Sequence, residues 1–159
     1  MRLRTRTRST VLQDRMVWQA ASLLLGYPDA GQGARLATAA ELLDNMSGPA
    51  REALARNLAA LREVDDRSAA EQYVATFDLS RRTTMYLTYW TAGDTRNRGA
   101  QMHAFVSAYR AGGVLPPKDE APDHLPVVLE FAATVDPEAG RRLLIEHRVP
   151  VDLLHRGLV

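Results

Sequence analysis

The polar and apolar positions of this chain repeat with a period near 3.6 residues, which is typical of amphipathic α-helices. The first such segment has Leu12, Met16, Ala20 and Leu23 on one face and predicts a helix over about 11–25. The same spacing recurs along the rest of the chain, whereas the sustained alternation that marks a half-buried strand does not. The pattern therefore predicts an all-α, single-domain helical bundle of about seven helices.

Capping signals predict where several of these helices begin. Thr10 with Gln13, and Ser68 with Glu71, have the spacing of a capping box, in which side chains satisfy the first free backbone amides of a helix. Asp123 is predicted to cap a helix over about 125–135. The other predicted elements are helices around 36–46, 50–61, 97–111 and 136–149 and a Pro- and Gly-rich loop over 112–122.

The stretch 80-SRRTTMYLTYWTAGDTRNRG-99 contains eleven consecutive uncharged residues and three aromatic ones, although only 6% of the chain is aromatic. A helix without charge on either face is expected to be surrounded by neighbours, so the pattern predicts the central helix of the bundle. Tyrosine rings at an exposed edge of that helix would also suit a peptide groove. Its large side chains would share one arc: Arg82, Met85, Tyr86, Tyr89 and Trp90.

Composition limits the chemistry that such a bundle can support. The chain has 159 residues, 46% of them apolar, and no cysteine, which excludes a disulfide framework, a thiolate nucleophile and the usual zinc or iron–sulfur site. The net charge of +1 gives no electrostatic reason to expect a nucleic acid. Because the longest apolar runs are too short to span a bilayer, we expect a cytoplasmic protein without direct membrane insertion.

The common templates for catalysis and for phosphate binding are absent from the sequence. It contains no GxSxG elbow, GxxxxGK[ST] loop, GxGxxG turn or HExxH pair. The four histidines do not have the spacing of metal ligands. We therefore expect no metal, no cofactor and no enzymatic activity.

Two features keep other functional classes open. Arginine alternates with other residues at the N-terminus, which predicts a disordered basic arm over 1–9 ahead of a helical domain over 10–159. Such an arm could bind nucleic acid through its phosphates. Asp123 beside His124 could form the acid–base pair of a small α-helical enzyme, or could line the rim of a groove for a cationic peptide.

Two blocks of the sequence resemble the NarJ family of molybdoenzyme assembly chaperones, within the wider group that includes the TorD and DmsD proteins. They are 73-YVATFDLSRRTTMYLTYWTAGDTRNRG-99 and 123-DHLPVVLEFAA-133. The resemblance implies an all-α fold, a cytoplasmic location and no catalysis. It also implies a role in nitrate assimilation as an assembly chaperone, which binds the N-terminal leader-like segment of the apo nitrate reductase catalytic subunit. Molybdenum cofactor would then be inserted before membrane docking, with the cofactor insertion machinery as a further partner.

Motif position assigns nine residues to the implied peptide-binding site. They are Tyr73, Phe77, Arg81, Tyr86 and Tyr89 in the first block and Asp123, His124, Pro126 and Glu130 in the second. We expect the tyrosines to form an apolar floor and Asp123 or Glu130 to place a carboxylate at the rim for basic peptide residues. If Asp123 also caps a helix, Asp123→Asn should preserve the fold.

Family chains commonly continue for another helix beyond the point at which 151-VDLLHRGLV-159 ends this sequence. A truncated chain would leave an apolar face uncovered, and such a face favours self-association. We therefore expect a monomer or a weak homodimer.

Overall fold

The structure, a computed structural model, describes residues 7–92 and 96–159. Within those ranges the chain forms nine α-helices and no strand, which confirms the all-α expectation and exceeds the expected number of helices. Most of the predicted N-terminal arm lies outside the described residues. The helices are α1 (Arg8–Leu24), α2 (Gln32–Asp44), α3 (Gly48–Arg62), α4 (Asp66–Tyr73), α5 (Tyr89–Ala92), α6 (Arg96–Ala111), α7 (Leu125–Thr134), α8 (Pro137–Glu146) and α9 (Arg148–Leu158).

Two predicted capping boxes are wrong by one helical turn. The cap of α1 is Thr7, whose side chain accepts a hydrogen bond from the Thr10 amide, and the cap of α4 is Asp65, which accepts from the Ser68 amide. In both helices the residue predicted as the cap instead contributes the amide that is capped. The predicted start of α8 is confirmed, since Asp136 accepts from the amides of Glu138 and Ala139.

α7 is the central helix of the bundle. Seven of its ten residues are buried, and it packs against α1 on one side and α8 on the other. α1 in turn packs against α2 and α3, which together enclose a smaller apolar cluster around Leu43 and Leu58. The larger core lies around α7 and includes Met85, Phe105 and Tyr109. The mostly apolar sequence of α7 matches this position, because a helix that is apolar on all sides requires neighbours on all sides.

The prediction that the charge-free stretch around Tyr86 forms the central helix is wrong, although several of its residues are buried as expected. A π-helical turn (Val74–Asp78) and a 3-10 turn (Arg81–Thr83) are followed by extended backbone and by the four-residue helix α5. Thr83, Thr84, Met85, Leu87 and Thr88 are all buried. Thr84 lies in the extended part, which suits a β-branched side chain better than a helix does, and the hydroxyls of Thr83 and Thr88 donate to neighbouring segments, at the Thr76 carbonyl and at Asp123.

α9 was not predicted from the sequence, because the preceding helix was expected to stop before Pro150. Pro150 instead occupies the first turn of α9, where its missing amide hydrogen costs no intrahelical bond. The C-terminal end of α9 packs on the 3-10 turn, and a Cβ atom on Gly157 would overlap the Arg82 carbonyl oxygen. α9 therefore supports the segment that forms the candidate site.

No helix among the described residues is long and apolar enough to cross a membrane.

Candidate functional site

Backbone hydrogen bonds join the two blocks that were singled out in the sequence. The Leu87 amide donates to the Asp123 carbonyl at 3.2 Å, and the Leu125 amide donates to the Met85 carbonyl at 2.9 Å. These bonds form an isolated antiparallel bridge between Tyr86 and His124. The start of α7 therefore fixes the extended segment that crosses it.

A fully buried carboxylate strengthens this junction. Asp123 is 0% exposed, and its Oδ2 atom accepts hydrogen bonds from the Thr88 amide at 3.0 Å and the Thr88 hydroxyl at 2.7 Å. Its predicted roles as a helix cap and as a rim carboxylate are both wrong. The residue at the cap position of α7 is His124, which makes no side-chain capping bond, and Asp123 points into the protein because Thr88 offers two donors there.

Arg98 of α6 carries the charge that faces this buried carboxylate. Its Nη2 atom lies 3.5 Å from Asp123 Oδ1, and its Nε donates to the Thr88 hydroxyl at 3.2 Å. The guanidinium also lies over the Tyr86 ring, 5.3 Å from the ring centroid, at a distance that allows a cation–π interaction. Arg98 was not among the residues predicted for the site, and only its place inside the first motif block could have drawn attention to it.

Tyr86, His124 and Glu120 form a second polar cluster next to this ion pair. The Tyr86 hydroxyl donates to Glu120 Oε1 at 3.0 Å, the His124 ring lies 5.0 Å from the Tyr86 ring, and His124 Nδ1 is 3.5 Å from Glu120 Oε2. Burial, together with the hydrogen bond to Glu120, raises the pKa of Tyr86 to about 12. Burial lowers the pKa of His124, although the nearby carboxylate of Glu120 opposes that shift. Near neutral pH the phenol therefore remains a donor and the imidazole is mainly uncharged.

A cavity of about 440 Å³ opens in front of these two clusters, and we call it the aromatic cavity. Leu79 lies beside it with 78% of its surface exposed, directly after the π-helical turn that ends at Asp78. π-Helical turns of this kind occur often at functional sites. The apolar part of its lining consists of Phe77, Leu79, Tyr86 and Tyr89, and the charged part consists of Asp78, Arg81 and Arg98.

The nine residues predicted for the site do not all meet at this cavity. Phe77, Arg81, Tyr86 and Tyr89 line it, and Tyr73 packs against Phe77 with ring centroids 5.0 Å apart. Asp123 accepts hydrogen bonds from the backbone amides of Leu87 and Thr88, and the His124 ring lies against the Tyr86 ring. The last two, Pro126 and Glu130, line a different cavity of about 260 Å³ between α1, α2 and α7, which we call the polar cavity.

Three further residues near the aromatic cavity were not predicted from sequence. Leu79, Asp78 and Glu120 lie beside the motif aromatics, and Leu79 is a surface position that an amphipathic pattern does not mark. Asp78 is exposed, and its carboxylate makes no hydrogen bond or ion pair with the residues that the structure describes. Asp78 therefore occupies the rim position that was expected of Asp123.

The acid–base pair considered for Asp123 and His124 has no support in this geometry. Asp123 bonds to Thr88 and faces Arg98, whereas the carboxylate paired with His124 is that of Glu120. Among residues 7–92 and 96–159, no group of three His, Asp or Glu side chains could hold a metal ion.

Comparison with known proteins identifies the family. A profile of the family described as nitrate reductase delta subunit matches residues 42–150, a span that includes both motif blocks. The chain belongs to the nitrate reductase delta subunit family, and the resemblance that the two blocks indicated is confirmed.

Several named relatives are similar to this chain. The nitrate reductase-like protein NarX of Mycobacterium tuberculosis is 59% identical over 143 residues, which are 90% of this chain and 22% of that protein. The probable nitrate reductase molybdenum cofactor assembly chaperone NarJ of Bacillus subtilis is 36% identical over 130 residues, 80% of this chain and 71% of that protein. The Escherichia coli chaperone of the same name is 33% identical over 115 residues, 70% of this chain and 49% of that protein. The chain thus spans about a fifth of the length of NarX.

Proposed function

We propose that this chain is a nitrate reductase assembly chaperone. It binds the N-terminal leader-like segment of the apo catalytic subunit in the cytoplasm and holds that subunit ready for molybdenum cofactor insertion before membrane docking. It catalyses no reaction itself. Family membership supports the general role, and two relatives carry the name of a molybdenum cofactor assembly chaperone.

The observation that carries the proposal is the aromatic cavity. Four apolar or aromatic side chains line an open space of about 440 Å³, and the backbone around that space is fixed by buried hydrogen bonds. An amphipathic peptide helix requires a preformed apolar surface of this kind, because a rigid receptor loses little conformational entropy when it binds.

One carboxylate at the rim suits a basic residue of the leader segment. Asp78 makes no ion pair with the described residues and the charge of Arg98 is already opposed by Asp123, while Arg81 adds an exposed positive charge at the same rim. A Lys or Arg side chain of the peptide can therefore approach Asp78 while the apolar face of the peptide covers Leu79 and Tyr89.

Calorimetric titration with a synthetic peptide of the leader-like segment tests the proposal. We expect one peptide per chain, and we expect Tyr89→Ala to weaken binding roughly tenfold through lost aromatic contact, which is ~1.4 kcal/mol. A scrambled peptide of the same composition is the control. Absence of binding to the wild-type chain, or equal binding of both peptides, would exclude the proposed function.

A further inference from the structure

A separate cavity of about 180 Å³ lies between the 3-10 turn, α5 and α9, and we call it the basic cavity. Its lining consists of Arg82, Trp90, Leu153, Arg156 and Gly157, and none of these residues lines the aromatic cavity or the polar cavity. Gly157 packs closely against the Arg82 backbone, which brings α9 against the turn. The two arginines therefore meet at one recess, although they are 74 positions apart in the sequence.

The basic cavity has a positive charge that no neighbour opposes. Arg82 and Arg156 are exposed, and neither guanidinium makes a hydrogen bond or an ion pair with the residues that the structure describes. Among those residues, none that lines the cavity is acidic. Asp152 lies one turn before Arg156 on α9, but no ion pair joins the two side chains. Because a cleft lined by one sign of charge attracts the opposite sign, the cavity favours an anionic group.

The size of the cavity limits the anion to a single group. A guanidinium presents a planar fork of N–H donors, which matches the two oxygens of a carboxylate. Sites for whole small molecules usually have a volume of roughly 300 Å³ or more. At about 180 Å³ the basic cavity admits one acidic side chain and leaves the rest of its ligand outside.

Apolar side chains beside the arginines indicate what accompanies the anionic group. The indole nitrogen of Trp90 already donates to the Thr84 carbonyl at 3.2 Å, so the ring has no free polar group to offer a ligand. Leu153 is 37% exposed, and Val149, one turn before it on α9, is 56% exposed. Tryptophan and arginine are also the residues most enriched at the centres of protein–protein interfaces. A ligand that reaches the arginines can therefore bury apolar side chains of its own on Trp90 and Leu153.

This combination favours a protein over a nucleic acid or a membrane. A nucleic acid presents mainly phosphates and sugars, which would leave Val149 and Leu153 without apolar partners. An anionic membrane surface contacts side chains that protrude, whereas Arg82 and Arg156 line a recess. An acidic peptide segment with apolar residues supplies both the carboxylate and the apolar contact.

We propose that the basic cavity binds an Asp or Glu side chain of an acidic segment in a partner protein. Arg82 and Arg156 donate hydrogen bonds to the carboxylate, and an apolar residue beside it in the partner packs on Trp90 and Leu153. The cavity repels basic residues, so this surface is distinct from the one proposed for the leader-like segment. The inference goes beyond the proposed function and does not depend on it.

NMR titration with a defined acidic peptide tests the inference. The peptide acetyl-Ala-Leu-Glu-Glu-Leu-Ala-amide is added to the chain, and the indole N–H signal of Trp90, one of two tryptophans, is followed. We expect this signal to shift, and we expect a peptide with both glutamates replaced by glutamine to bind roughly tenfold more weakly. Absence of a shift, or equal binding of the two peptides, would overturn the proposal.

Variants of the two arginines locate the binding site. Arg82→Gln and Arg156→Gln should each bind the acidic peptide about three to five times more weakly, because each removes one exposed ion pair with the peptide. Arg56→Gln, an exposed change on α3 with the same loss of charge, is the control and should bind like the wild type. The thermal unfolding midpoints of all three should match that of the wild type, since the substituted side chains are on the surface. An equal loss of affinity in the three variants would mean that only overall charge attracts the peptide, which contradicts the proposal.

Two further measurements identify other occupants of the surface. A Trp90 signal that responds to phosphatidylglycerol vesicles and not to the acidic peptide would assign the surface to a membrane. Dimers of the chain alone, detected by analytical ultracentrifugation and separated by Arg156→Gln, would assign it to a second copy of the chain. Either result would overturn the proposal, while neither bears on the titration with the leader-like peptide.

Discussion

The helices α1 to α3 and the segment from Tyr73 to Arg98 are built in opposite ways. In the first region each helix follows from its own apolar spacing, and the cap of α1 is set by a residue three positions away, since Thr7 accepts from the Thr10 amide. In the second region the decisive hydrogen bonds join residues 35 positions apart, from Thr88 to Asp123. Local signals therefore determine the scaffold, and tertiary contacts determine the conformation of the candidate site.

The largest expected effect comes from removing the buried carboxylate. Asp123→Ala leaves the Thr88 donors and the Arg98 guanidinium without their partner, and we expect a loss of about 3–5 kcal/mol in the free energy of unfolding. Asp123→Asn should also destabilise the protein, contrary to the expectation from a capping role. Thr7→Ala, which removes only a local cap, should cost about 1 kcal/mol. Urea unfolding measures all three, and equal losses for Thr7→Ala and Asp123→Ala would contradict the contrast.

A smaller effect is expected where α9 supports the 3-10 turn. A Cβ on Gly157 would overlap the Arg82 carbonyl oxygen, so Gly157→Ala should cost about 1–3 kcal/mol through overpacking. The matched control is Gly99→Ala in α6, where a new Cβ meets no atom within 4 Å. That change should stabilise the protein by up to about 1 kcal/mol because alanine favours helix over glycine. The midpoint temperature of thermal unfolding should therefore fall for Gly157→Ala and rise for Gly99→Ala. A rise for both variants would show that the close approach of Gly157 to Arg82 does not limit the side chain at that position.

The smallest effect concerns His124 and pH. Burial holds the pKa of His124 below its usual 6.5, against the opposing charges of Glu120, Asp123 and Asp78, so the unfolded chain binds a proton more readily than the folded one. Its contribution to stability is therefore complete above about pH 6.5 and is lost as pH falls through the folded pKa. His124→Asn keeps a side chain suited to a helix cap and does not titrate there. Between about pH 7 and pH 5 the wild type should lose more stability than this variant in urea unfolding, and equal losses would contradict the lowered pKa.

Much of the scaffold could be predicted from the sequence, and much of the site could not. The spacing of apolar residues located α1, α2, α3, α6 and α7, because amphipathic helices reveal their buried face in the pattern itself. The same reasoning wrongly made a helix of the charge-free segment. Its extended backbone depends on the Asp123 carbonyl and the Leu125 amide, and a backbone partner has no signature in the side-chain pattern.

The motif blocks located the site but not the role of each residue within it. They selected Tyr86 and Tyr89, which line the aromatic cavity, and also Asp123, which is buried beneath it. Charge and position alone did not distinguish a carboxylate that faces solvent, as Asp78 does, from one that is enclosed. That distinction depends on Thr88 and Arg98, which pattern reasoning treated as ordinary polar positions.

The most direct test of the central claim compares two leucines of equal exposure. Leu79 stands at the aromatic cavity and is 78% exposed, while Leu115 lines a third cavity near α7 and is 79% exposed. Neither change to alanine should alter stability by more than about 0.5 kcal/mol, because both side chains are on the surface. Calorimetry with the leader-like peptide should show Leu79→Ala binding several times more weakly than the wild type and Leu115→Ala binding like the wild type. The reverse order, or an equal loss in both variants, would mean that the aromatic cavity is not where the peptide binds.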